Sequence, residues 1–174
     1  MKRALILIGL VLTSTATFSQ TPYTGMQTRP IKALSEQQVA DLRAGRGMGL
    51  ALAAELNGYP GPSHVLELAD KLELTTNQRA NVKAQYESMK AEALPLGSKL
   101  IEQEAELDRQ FANRTVTSES LKASTAAAAV TQGELRQVHL KYHLSMIGLL
   151  SGPQMQRYAE LRGYADNQTR HHHH

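Results

Sequence analysis

Residues 75–111 read TTNQRANVKAQYESMKAEALPLGSKLIEQEAELDRQF, and this stretch decides the fold. Thr75 and Gln78 have the spacing of a capping box, in which a hydroxyl takes the backbone N–H three residues on and an amide reaches back. Beyond the box, Val82, Tyr86, Met89, Ala93, Leu96, Leu100, Gln103, Leu107 and Phe111 recur at steps of three and four. This is one apolar stripe at helical period. Pro95 falls inside it. Proline removes a backbone donor and costs about 3 kcal/mol in a helix interior, yet the stripe keeps its phase on both sides. The spacing predicts one long, bent helix rather than two, about 55 Å in length at about 1.5 Å per residue.

Downstream, Asn113 to Thr117 breaks the pattern, and Thr117 or Ser118 can cap a second helix. Its stripe is Leu121, Thr125, Ala128, Gln132, Leu135, His139, Tyr142, Met146 and Leu149. The first half is thin and Ala-rich, which lets a neighbouring helix approach closely. Ser151-Gly152-Pro153-Gln154 is another capping box, with Leu150 and Met155 placed as a hydrophobic staple, and the last short helix ends near Gly163. Upstream, Ser35-Glu36-Gln37-Gln38 is a further box, opening a helix expected from 36 towards 56 that Gly45, Gly47 and Gly49 weaken. The run Asn57-Gly58-Tyr59-Pro60-Gly61-Pro62 ends it with turn chemistry, and a short helix follows over Ser63 to Leu72. No segment alternates at period two, so no sheet is expected. The fold class is all-α: a long antiparallel helical hairpin with short flanking helices. One hairpin offers little core, so a homodimer is expected; an open apolar face offered to other proteins is the alternative.

The ends read differently. Met1-Lys2-Arg3, the apolar run Ala4 to Leu12 and the small polar stretch from Thr13 have the layout of a secretory signal peptide over residues 1–19. The apolar run is short for a membrane span, the alternative being an uncleaved anchor. Export to the periplasm is the expectation. Residues 20–33 read as a flexible leader, 34–164 as the helical domain, and 165–174 as a disordered tail. His171 to His174 look like part of a purification tag, or else a native metal-binding tail.

Of the 174 residues, 41% are hydrophobic and none is cysteine, which excludes disulfides, thiolate metal sites and cysteine nucleophiles. Removing residues 1–20 takes away Lys2 and Arg3 from the 19 basic residues and none of the 16 acidic ones, leaving 17 against 16. A balance near +1 gives no electrostatic case for nucleic acid.

Leu74-Thr75-Thr76-Asn77-Gln78 and Leu150-Ser151-Gly152-Pro153-Gln154 resemble the paired LTxxQ motifs of the Spy/CpxP family, exported helical proteins of the envelope stress response. Periplasmic heavy-metal sensor and resistance proteins of the CnrX and ZraP kind share that architecture. The resemblance spans residues 60–164, with 34–58 as a less typical extension and Ser151 standing where the motif has Thr. It implies a cradle-shaped helical dimer without ATP, holding unfolded clients in the chaperone branch and transition metals through His, Glu and Met in the sensor branch. Carried onto this sequence, the sensor pattern falls on His64 ahead of the first motif, with Leu68 in place of a second His. It falls on Glu87 about three turns into the long helix, and on His143 and Met146 before the second motif, three apart rather than four.

The residues themselves point to similar chemistry. His139 and His143 are four apart, which puts two imidazoles on one helical face with Cβ atoms about 6 Å apart. That suits joint coordination of Zn, Cu, Ni or Co, and the Met146 thioether suits softer ions such as Cu(I). Two imidazoles do not complete a site, so a further ligand has to come from His64, Glu67, Glu87 or a dimer mate. The plainer alternative makes His139 a hydrogen-bonded core residue, His143 an exposed one and Met146 core packing.

An H-E-x-x-H protease motif is excluded by Leu140 beside the first His. Gly45-Arg46-Gly47-Met48-Gly49 lacks the spacing and the preceding strand of a phosphate loop and reads as a flexible helix break. Glu102, Glu104, Glu106 and Asp108 near Arg109 read as a solvated helix face. No nucleophile, base and orienting group come together, so the expected function is not enzymatic. It is an envelope stress or heavy-metal response protein that binds a transition metal. An ATP-independent chaperone for unfolded proteins is the alternative, and a purely structural partner of an envelope complex a third option; beyond a homodimer, the expected partners are unfolded proteins or an envelope signalling protein.

Overall fold

The computed structural model describes residues 23–164; the expected signal peptide and tail lie outside the described residues. Within that range the chain is helical and carries no strand. Its helices are α1 (Glu36–Arg43), α2 (Leu52–Glu55), α3 (Pro62–Glu67), α4 (Thr76–Ala112), α5 (Ser118–Met146) and α6 (Gly152–Arg162). None is long and apolar enough to cross a membrane.

The capping chemistry sets where the helices begin. Complete boxes, with both reciprocal bonds formed, open α1 at Ser35, α4 at Thr75, α5 at Thr117 and α6 at Ser151. They satisfy backbone donors that a bare helix start would leave unpaired. α4 runs for 37 residues, straight past Pro95. Pro95 is exposed, so its ring and the carbonyl it leaves unpaired face water.

Two expected elements differ. The helix expected from 36 towards 56 is two helices, because Gly45, Met48 and Gly49 take positive φ and turn the chain between them. The helix expected over 63–72 ends at Glu67 and continues as turns, with Glu73 at positive φ just before the Thr75 cap. The leader expected to be flexible carries a short 3-10 turn at Met26–Thr28. It is also tied to α4, where Asp108 accepts from the Lys32 backbone N–H at 3.2 Å and from its ammonium at 3.1 Å.

α4 and α5 pack along one another. Gln78 donates to the Leu149 carbonyl, Ser145 to Gln85, Lys141 and Tyr142 to Glu92, and Gln110 to Ser124. The expected α5 stripe shifts in one place: Thr131 is buried where Gln132 was expected, and Gln132 is exposed. One apolar cluster joins Leu42 of α1, Met89, Ala93 and Leu100 of α4, and Leu135, Val138 and Tyr142 of α5. Its tightest point is Gly97, where an added Cβ would lie 2.5 Å from the Leu42 carbonyl oxygen. The second cluster packs Val65, Leu72 and Leu74 with Val82, Met146, Leu150 and Tyr158.

Beside the second cluster the two motif glutamines grip each other. Gln78 Nε2 donates to Gln154 Oε1 at 2.8 Å, and Gln154 Nε2 donates to Gln78 Oε1 at 3.0 Å. Each also reaches a carbonyl across the junction, Gln78 that of Leu149 and Gln154 that of Leu72. One pair of amides thus caps two helices and closes the end of the long pair.

Candidate metal centre

Near its C-terminal end α5 is covered by α2 and α3 as well as α4, so positions off the single stripe become buried. His139 is 2% exposed and His143 9%. His139 Nε2 is buried and makes no hydrogen bond. Burial, and then the neighbouring His143, hold the His139 imidazole below its ordinary value, which favours the neutral ring.

The other two imidazoles are oriented by acceptors. His143 Nδ1 lies 2.8 Å from the Tyr59 carbonyl oxygen. A carbonyl can only accept, so Nδ1 carries the hydrogen and the neutral ring keeps its lone pair on Nε2. His64 Nδ1 lies 3.1 Å from Glu67 Oε2, and this bond holds the Glu67 carboxyl below its ordinary value. The same reasoning puts the His64 lone pair on Nε2. A backbone carbonyl or carboxylate on the rear nitrogen is how metal-binding histidines are commonly held.

Two glycines keep space open at the rings. A Cβ at Gly61 would lie 2.8 Å from His143 Cε1 and 2.9 Å from its Nε2. One at Gly47 would lie 3.3 Å from His139 Nδ1. Neither residue takes positive φ, so close approach to the imidazoles, not backbone conformation, is the constraint here.

His64, His139 and His143 line one cavity of ≈ 390 Å³, together with Glu55, Glu67, Met48, Met89 and Arg162. Glu55, 6% exposed, is the polar hub of its floor. It accepts from Tyr158 Oη and, at 3.1 Å, from the Gly61 N–H. Arg162 Nε and His143 Nδ1 each stand 3.6 Å away, at ion-pair rather than hydrogen-bond distance. Burial, then the bond to Glu55, push the Tyr158 phenol up, so it remains a donor.

No known family, curated protein or solved structure matches the chain. Its chemistry is therefore read from the site alone.

The structure brings together three of the five ligands expected from the sequence: His64, His139 and His143. The other two lie elsewhere. Met146 is wholly buried in the second apolar cluster, and Glu87 sits on the exposed face of α4. Among the described residues, no three His, Cys, Asp or Glu side chains are already grouped as a metal site. What is present is three imidazoles lining one cavity, two of them held through Nδ1 and one with a buried nitrogen that has no partner. That donor set fits a borderline or soft transition ion better than Ca or Mg, which take oxygen ligands.

Glu55, Met48, Met89, Tyr158 and Arg162 did not stand out in the sequence. The available signal was local: Glu55 lies between two glycine-dense turns, 45–49 and 57–62, and those turns carry Gly47 and Gly61 up to the imidazoles.

Proposed function

We propose that this chain is an exported, non-enzymatic helical protein of the Spy/CpxP kind that binds a transition metal in the envelope, as part of a stress or heavy-metal response. The single observation that supports this most is the convergence of His64, His139 and His143 on one cavity. The Nδ1 atoms of His64 and His143 are engaged by acceptors, and His139 Nε2 is buried without a partner. His139 and His143 hold the ion, and a further ligand comes from the rest of the cavity lining. The long pair of helices is an antiparallel hairpin, in keeping with the bonds from α4 to Ser124, Lys141 and Ser145 of α5 and to Leu149 just beyond it. It functions as a homodimer through the faces that the monomer leaves open.

The test is calorimetric titration of the chain without residues 1–19 and 171–174, using Cu, Zn, Ni and Co. The expected result is binding of at least one ion tighter than about 10 μM, lost in the His139→Ala plus His143→Ala double variant. No binding at that level, or binding that survives the double variant, overturns the metal reading.

A second reading, an ATP-independent chaperone, draws on a different observation. Leu144 of α5 is 62% exposed, and Leu52, Leu56 and Tyr59 nearby are exposed too. Leu140 and Leu144 form a shallow apolar groove with Ala53, Ala54 and Tyr59. Suppression of an unfolded client's aggregation at stoichiometric ratio, weakened by Leu144→Ser, supports it; no suppression ends it.

A further inference from the structure

We infer that the cavity is a thioether–imidazole site for Cu(I), with Met48 supplying the sulfur ligand alongside His139 and His143 and Met89 forming the second sulfur wall. The inference rests on the metal reading above and names its ion and its missing ligands.

Carboxylates are poorly placed to complete the site. Glu55 is committed to the Tyr158 hydroxyl and the Gly61 N–H, and Glu67 to His64. Among the described residues no third His, Asp or Glu, His64 included, is close enough to form a metal-holding group with the imidazole pair. A hard or borderline ion that wants several nitrogen and oxygen ligands finds few free ones. Cu(I) accepts soft thioether and imidazole donors, and both methionines line the cavity with the two imidazoles.

Met48 has a second peculiarity. Its backbone lies at φ 44, in the left-handed region that is unfavourable for a non-glycine residue. Both flanking turn positions, Gly45 and Gly49, meet the same demand with glycine. A glycine at 48 would remove the strain. Met48 is also 40% exposed, so its side chain is only partly enclosed by the cavity wall. Met48 thus stands in a strained backbone position with its side chain on the cavity wall. The neighbouring Gly47 leaves the His139 ring uncrowded on the same loop. In this proposal the sulfur donors are Met48 and Met89 and not the expected Met146, which is buried in the apolar cluster.

The experiment is anaerobic Cu(I) competition against a chromogenic chelator, with copper K-edge absorption of the loaded protein, on the chain lacking His171 to His174. Wild type is expected to bind one Cu(I) with sulfur and nitrogen scatterers. Met48→Leu is expected to weaken Cu(I) by about tenfold or more while leaving Zn(II) affinity unchanged. Met89→Leu, a volume-conserving change, should give a smaller loss, and Met146→Leu none. Circular dichroism confirms that each variant is folded. Sulfur absent from the copper shell, or Cu(I) affinity unmoved in the Met48→Leu, Met89→Leu double variant, overturns the inference. If Zn(II), Ni(II) or Co(II) then still binds through His139 and His143, the metal reading stands without it. If no ion binds, both fall.

Discussion

The two halves of the α4–α5 pair carry the same helical period and meet different fates. From Val82 to Leu100 on α4 and from Ala128 to Met146 on α5, side chains are buried turn after turn. Between residues 101 and 127 none is buried, and Phe111 and Leu121 lie exposed. The difference is what covers them. α1, α2 and α3 all pack against the first half, and Tyr158 of α6 fills the cluster beneath it. Periodicity makes an amphipathic helix, but burial comes only where a third element closes over the stripe. The candidate metal centre is found in the enclosed half for the same reason: only there are titratable side chains removed from water.

The sharpest way to break this comparison is to cut into each half in the same manner. Leu135→Ala, in the enclosed half, is expected to cost about 2–5 kcal/mol, read from urea midpoints at constant slope. A cost under about 1 kcal/mol would mean the enclosed half is no better packed than the open one.

The motif junction sharpens it further. Gln78→Ala and Gln154→Ala should each cost about 1–2 kcal/mol, from a lost cap and lost bonds across the junction. Because each amide serves the other, the double variant should cost less than the sum of the singles. Strict additivity in a double-mutant cycle would show that the reciprocal bonds contribute nothing.

The acid side of the stability profile gives a smaller effect. His139 is held below its ordinary value in the folded chain. Above about pH 6.5 both states are neutral at this ring. As pH falls below that, the unfolded imidazole takes a proton that the folded one resists, so stability is lost, with a ceiling of about 1.4 kcal/mol per pH unit. Denaturation series between pH 7 and 5 should show a shallower loss in His139→Gln than in wild type. An equal or steeper loss in the variant contradicts the buried neutral ring.

The smallest effect belongs to the open half. Leu121→Ala should move stability by no more than about 0.5 kcal/mol. A larger cost that depends on protein concentration would show that this half is covered by a second copy, the dimer proposed above.

The helix starts were legible because capping is local. Ser35, Thr75 and Ser151 each need only a partner three residues on, and those three boxes form; of Thr117 and Ser118, it is Thr117 that caps α5, in a box with Ser120. The unbroken course of α4 past Pro95 was legible because the stripe keeps its phase. The break between α1 and α2 was underestimated, because three positive φ angles at 45, 48 and 49 do more than weaken a helix. The imidazole pair was visible from its spacing. Glu55, Met48 and Met89 were not, since they join the pair only through the path of two glycine-rich turns, which no periodicity encodes. Met146 misled for a related reason: it sits close to His143 in sequence, but α5 turns it into the Val65 and Val82 cluster.

One diffraction measurement bears most directly on the imidazole-lined cavity. A crystal of the chain lacking His171 to His174, soaked in Zn(II), would be measured on both sides of the zinc absorption edge. The prediction is one anomalous peak in the cavity, about 2.0–2.1 Å from Nε2 of both His139 and His143. Zinc found only on surface groups, with the cavity between α3 and α5 showing no peak, would contradict it.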